Sequence, residues 1–214
     1  MADFKTRPQQ LEMSQFIAEC LKNESHQRMA VVEAPTGVGK TLAYLAGVID
    51  VALENKKMLV ISTATVNLQQ QLLQKDLPQF RDASARPLRF VQAKGRRRYL
   101  CPSKLSRVRL DDSQQELSLD TSFKDTKLKQ REIAESLYQQ WDAKKWNGDR
   151  DSYSVGIESE LWGNISTDSE GCAGKNCSHY IRCPYYLVRK EMLAANVIVA
   201  NHDLVLSDAD LGGG

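Results

Sequence analysis

At 214 residues, 42% hydrophobic and 26% charged, the chain has the composition of a globular protein with its own core rather than of a disordered one. No window reaches the ~18 consecutive apolar residues of a membrane span, and the opening MADFKTRPQQ lacks the apolar centre of a signal peptide, so a cytoplasmic protein with no membrane partner is expected. The net charge of +2 says little, but its distribution says more: residues 94–109 hold seven basic and no acidic side chains, ahead of an acid-rich stretch over 111–125. That asymmetry fits a polyanion-facing surface or a solvated basic loop.

In chain order, Met13, Phe16, Ile17, Cys20 and Leu21 recur at helical spacing behind Pro8, predicting a helix over 8–21 with Cys20 as a small core residue. MAVVE (29–33) reads as a short buried strand that runs into APTGVGKT and a helix over 40–53. MLVIS (58–62) reads as a second buried strand, followed by a helix over 66–73, and 88–91 as a third strand. Strands alternating with helices at this spacing predict an α/β fold with a parallel sheet and crossover helices. After Arg98 the rhythm changes. Residues 101–183 are polar, hold Trp141, Trp146 and Trp162, and offer one clear helix over 128–141. An inserted, mainly helical subdomain is expected there, with the tryptophans as its small core. A helix over 184–195 and the strand VIVA (197–200) then resume the sheet. The expected organisation is 1–97, an insertion over 98–186, and a return over 187–214.

Ala34-Pro35-Thr36-Gly37-Val38-Gly39-Lys40-Thr41 has the spacing of a phosphate-binding loop, with Ala34 at the usual first glycine. Gly37 and Gly39 let the backbone curl so that its N–H groups point at phosphate oxygens, and the following helix adds its positive end. Lys40 is expected to reach the β- and γ-phosphates of ATP, and the Thr41 hydroxyl to ligate Mg²⁺.

Cys172-x4-Cys177-x5-Cys183, with Cys101 far upstream, offers four soft ligands. Four thiolates suit tetrahedral zinc or an iron–sulfur cluster. The five-residue gap and the lone distant ligand fit paired zinc knuckles poorly, but spacing alone leaves cluster, zinc and unligated thiols open.

EAPTGVGKT, STATVNLQQQL, KGRRRYLC, the three-cysteine run and VIVANHDLVL, in that order, resemble the DinG-type helicases, bacterial relatives of the XPD group in helicase superfamily 2. The resemblance implies a RecA-like sheet with helices on both faces and an inserted iron–sulfur subdomain. It also implies 5′→3′ unwinding of DNA driven by ATP, in replication and repair. Gln10 corresponds to the glutamine that reads the adenine edge. Thr63, Thr65 and Gln69 fall in a motif that contacts the single-strand backbone, where such side chains carry no sequence information. Cys101, Cys172, Cys177 and Cys183 match the family's ligands to a 4Fe–4S cluster, with zinc as the alternative. Arg96, Arg97 and Arg98 beside Tyr99 form a candidate strand-binding edge, cations for phosphates and a ring for stacking, unless Tyr99 packs inside. Single-stranded and forked or displaced-strand DNA are the expected partners of a monomer. No Asp-Glu pair follows an apolar strand in these residues, so the carboxylates that complete an ATPase site are expected to be missing and the chain inactive by itself. The competing reading is a zinc-stabilised nucleic-acid-binding module whose phosphate loop does not hydrolyse.

Overall fold

The computed structural model describes residues 7–22, 29–110 and 121–210, the side chains of 121–125 excepted. The acid-rich 111–120 lies outside the described residues. Two compact units result, Met1–Ala93 with Met192–Gly214, and Lys94–Glu191.

The first unit begins with α1 (Pro8–Lys22), whose proline occupies a first-turn position where no N–H is needed. It packs on α2 (Lys40–Glu54). Gly47 permits the close approach, because a Cβ there would come within 2.6 Å of the Ser14 carbonyl oxygen. β1 (Leu59–Thr63) leads into α3 (Val66–Gln71), capped by the Thr65 hydroxyl accepting from the Leu68 N–H at 3.3 Å. The helical path continues through a widened π turn, Leu72–Asp76, into α4 (Leu77–Ser84), so it runs well beyond the expected end at 73. Pro78 lies just past that turn. Proline lacks an N–H and crowds the carbonyl four residues back, a conflict that a wider turn relieves. β2 (Phe90–Gln92) follows.

The second unit is helical: α5 (Pro102–Leu110), α6 (Thr121–Asp142), α7 (Ser159–Ile165) and α8 (Pro184–Met192), whose last residue belongs to the first unit. Two isolated antiparallel bridges, Tyr99 with Asp149 and Leu100 with Ser166, tie its loops. Leu100, Leu105, Leu137, Leu161 and Ile165 form its core with Trp141, Trp146 and Trp162. The indole N–H groups are satisfied inside: Trp146 donates to the Asp149 carbonyl at 2.9 Å and Trp162 to the Arg97 carbonyl at 2.7 Å.

β3 (Val197–Asn201) and α9 (His202–Asp210) complete the first unit. β3 is the middle strand in the order β1-β3-β2 and runs parallel to both neighbours, with Ile61 opposite Val199 and Val91 opposite Ile198. Because successive side chains alternate in direction, Val197 and Val199 join Leu45, Ile49, Leu72 and Phe80 in one cluster. Ile198 and Ala200 join Ala93 and Leu204 in another. A strand covered on both faces reads as a continuous apolar run, as VIVA does. Each fully buried aliphatic side chain contributes ~1.5–3 kcal/mol.

One expected strand is absent. Residues 29–33 form no strand, with Met29 79% and Val31 83% exposed. An apolar run becomes a strand only where a neighbour accepts its backbone hydrogen bonds, and the described sheet offers this one none.

Candidate functional site

In the first unit, the loop between residues 34 and 41 is built around two left-handed glycines, Gly37 at φ 84° and Gly39 at φ 80°. Gly39 is the N-cap of α2 and makes no side-chain capping bond, so the orphan N–H groups of that helix start are free to meet an anion. Lys40 curls back over the loop, its Nζ donating to the carbonyls of Ala34 at 2.7 Å and Pro35 at 3.0 Å. Thr36 is exposed, whereas Val38 and Pro35 line a groove of about 730 Å³ that Gln10, Phe16 and Lys40 also border.

Two residues ahead of α1 or in its first turn grip the loop from outside. Arg7 Nη1 donates to the Gly37 carbonyl at 2.7 Å, and Gln10 Nε2 to that of Gly39 at 3.2 Å. Thus Gln10 is spent, in part, on holding the loop's shape. Sequence reasoning gave the role in this segment to Gln10 alone, and Arg7 is added to it by geometry. Thr41 shares a hydrogen bond with Tyr44, whose phenol is pushed up to about 12 by burial and then by the Asp76 carboxylate, with the Thr41 bond acting in the opposite direction.

At the carboxyl ends of β1 and β3, Ser62 Oγ lies 2.6 Å from His202 Nδ1. Thr63 donates to the Thr65 carbonyl at 3.2 Å, and the exposed Thr65 caps α3. Gln69 does not join this edge. It is 5% exposed, and its Oε1 accepts from Gln92 Nε2 at 2.8 Å. Its position on α3 turns it toward β2.

In the second unit, the basic run is largely neutralised. Lys94 lies between Asp149 at 2.5 Å and Asp151 at 3.0 Å. Arg98 pairs with Asp151. Arg97 points outward, its side chain 76% exposed, and meets Asp168 at 2.9 Å. The Asp168 carboxyl is held below its ordinary range by the Gly171 N–H first and the Arg97 charge second. Arg96 turns inward: its Nη1 donates to Cys172 Sγ at 2.9 Å and to Tyr186 Oη at 3.2 Å, and its guanidinium lies 4.1 Å from the Tyr185 ring centre. Tyr99 is 4% exposed and packs edge-on against Tyr185. The Tyr99 ring is thus covered, as the alternative reading had it, and Arg96 donates to sulfur while Arg97 stays exposed.

Cys101, Cys172, Cys177 and Cys183 border a single cavity of about 120 Å³. None is in a disulfide, and Cys20 lies apart on α1. Burial pushes the Cys183 thiol up, opposed by the N–H groups of Tyr186 and Tyr185 and reinforced by Cys101 and Cys172. Cys172 Sγ also accepts from the Gly174 N–H at 3.4 Å. Among the described residues, no three His, Cys, Asp or Glu side chains close on one point as ligands of a single ion. Thr167, on the same wall, was carried by no motif.

Residues 11–97 match the model of the DEAD/DEAH box helicase family. Over nearly its whole length the chain is also similar to DinG helicases. It is 40% identical over 208 residues to "ATP-dependent DNA helicase DinG" of Salmonella choleraesuis (strain SC-B67), 96% of this chain and 29% of that protein. The protein of the same name from Escherichia coli (strain K12) is 39% identical over the same span. That of Photobacterium profundum is 41% identical over 201 residues, 92% of this chain and 28% of that protein. The chain thus spans under a third of the length of these relatives. Among the described residues, no helix is long and apolar enough to cross a membrane.

Proposed function

We propose that the chain is the nucleotide-binding and cluster-bearing part of an ATP-dependent 5′→3′ DNA helicase acting in replication and repair. The observation that carries this reading is the pair of left-handed glycines, Gly37 and Gly39, delivering Lys40 to the mouth of an uncapped helix start. When ATP–Mg²⁺ enters, Lys40 exchanges two carbonyl oxygens for β- and γ-phosphate oxygens, and Thr41 turns its hydroxyl from Tyr44 to the metal. Gln10 holds the loop and reads the adenine edge. Thr63 and Thr65 meet the backbone of single-stranded DNA, and Arg97 is the outermost cation of the basic turn. Forked or displaced-strand DNA is the substrate of the whole protein.

The segment 98–186 is the cluster domain, and its thiols fit a 4Fe–4S group better than zinc. Four sulfurs around one tetrahedral zinc stand ~3.8 Å apart, given Zn–S bonds of ~2.3 Å. Here the four thiols line one cavity, and the five-residue gap with the lone distant Cys101 suits paired zinc knuckles poorly. A four-iron core with its bridging sulfides spreads its ligands more widely. When bound, such a group supplies a rigid four-point tie and a one-electron couple. Arg96 and the Gly174 N–H donate to Cys172 Sγ on the wall of that cavity.

Titration of a fluorescent ATP analogue into the parent chain and Lys40→Ala tests the loop. At least tenfold weaker binding by the variant, with unchanged single-strand affinity, is expected. Equal nucleotide affinity overturns the assignment.

A further inference from the structure

Thr167 Oγ1 is the buried side-chain polar atom that lacks a hydrogen-bond partner among the described residues. Thr167 is 8% exposed and lines the cavity that the four thiols border. A buried, unpaired hydroxyl costs ~1–3 kcal/mol, and a valine of the same shape would avoid that cost. The surrounding backbone nevertheless makes room for it: a Cβ on Gly171 would come within 2.8 Å of Thr167 Oγ1. Gly171 directly precedes Cys172, whose sulfur already accepts from Arg96 Nη1 and the Gly174 N–H. Donors therefore gather on the Cys172 side of the cavity, and Thr167 adds one with nothing in the protein to receive it.

We infer that the Thr167 hydroxyl donates its hydrogen bond to the group held by the four cysteines, on its Cys172 side, which makes Thr167 a positioning residue for that group. The inference rests on the cluster reading given above. Hydrogen bonds to cluster sulfur favour the more negative, reduced form, so each donor raises the reduction potential. The hydroxyl is polar enough to pair with sulfur and too short to reach solvent past the cavity wall. Binding then removes the desolvation cost of the hydroxyl.

The test is a potentiometric titration of the anaerobically reconstituted full chain, read by the spin resonance of the reduced cluster. Thr167→Val is expected to retain iron and to be three- to tenfold less reduced at a fixed potential. That corresponds to ~30–60 mV lower, at 59 mV per decade for one electron. Thr167→Ser, which keeps the hydroxyl, is expected to titrate with the parent. Parent-like potential in an iron-loaded Thr167→Val overturns the inference, as do equal shifts in both variants, which would report packing instead of donation. If Thr167→Val cannot retain iron, Thr167→Ser decides: iron held at the parent potential supports the donor, and iron lost or a shifted potential overturns it. A parent chain that takes up zinc and no iron overturns the cluster reading and this inference with it, before any variant is compared.

Discussion

Gly39 meets two demands at once. Its φ of 80° lies where a side chain costs ~1–2 kcal/mol, and a Cβ there would fall 2.0 Å from Gln10 Nε2. Gly37 has the same left-handed backbone but open space around it. Gly39→Ala should therefore weaken nucleotide binding more than Gly37→Ala. Isothermal titration of the parent and both variants checks this, and equal losses at the two glycines would remove the Gln10 contact from the account. Tyr44 offers a pH signature. Its folded phenol is raised from 10 to about 12, so the neutral form stabilises the fold below pH 10 and that contribution is lost as pH rises from 10 to 12. Melting curves of Tyr44→Phe should decline less steeply than the parent over that window. Parallel decline would mean that the phenol is not held by its surroundings.

At the scale of elements, legibility followed the range of the interactions. The phosphate loop and β3 were readable because their signals are local: glycine spacing before a helix, and an apolar run covered on both faces. Residues 29–33 carry an equally apolar run, yet pairing is a property of neighbours and the run alone could not reveal it. The same holds for the turn Arg96–Arg98, a 3-10 turn that points successive side chains in different directions. One arginine reaches sulfur, one reaches Asp151 and one faces outward, although the sequence presents them as a uniform patch. The 5% and 4% exposures of Gln69 and Tyr99 are likewise set by distant contacts. Consequently the three arginines should separate on substitution. Arg97→Glu is expected to weaken single-strand binding and to lower the slope of log affinity against log salt by ~0.7; its exposed pair with Asp168 offers little resistance. An unchanged salt slope would take Arg97 out of the DNA path.

At the scale of the molecule, each unit has its own apolar core, the second built on three tryptophans and a few aliphatic side chains. A metal tie adds to such a core by joining distant parts of the chain, and the cysteines lie at the start of α5 and in the loops before α8. The most direct measurement is therefore a count of iron, acid-labile sulfide and zinc in the anaerobically purified chain and in Cys177→Ser. The account predicts about four irons and four sulfides per parent chain. In Cys177→Ser it predicts their loss together with destabilisation of the second unit, while ATP-analogue binding by the first is retained. A folded parent chain that contains one zinc and no iron, or no metal under any loading condition, would contradict it.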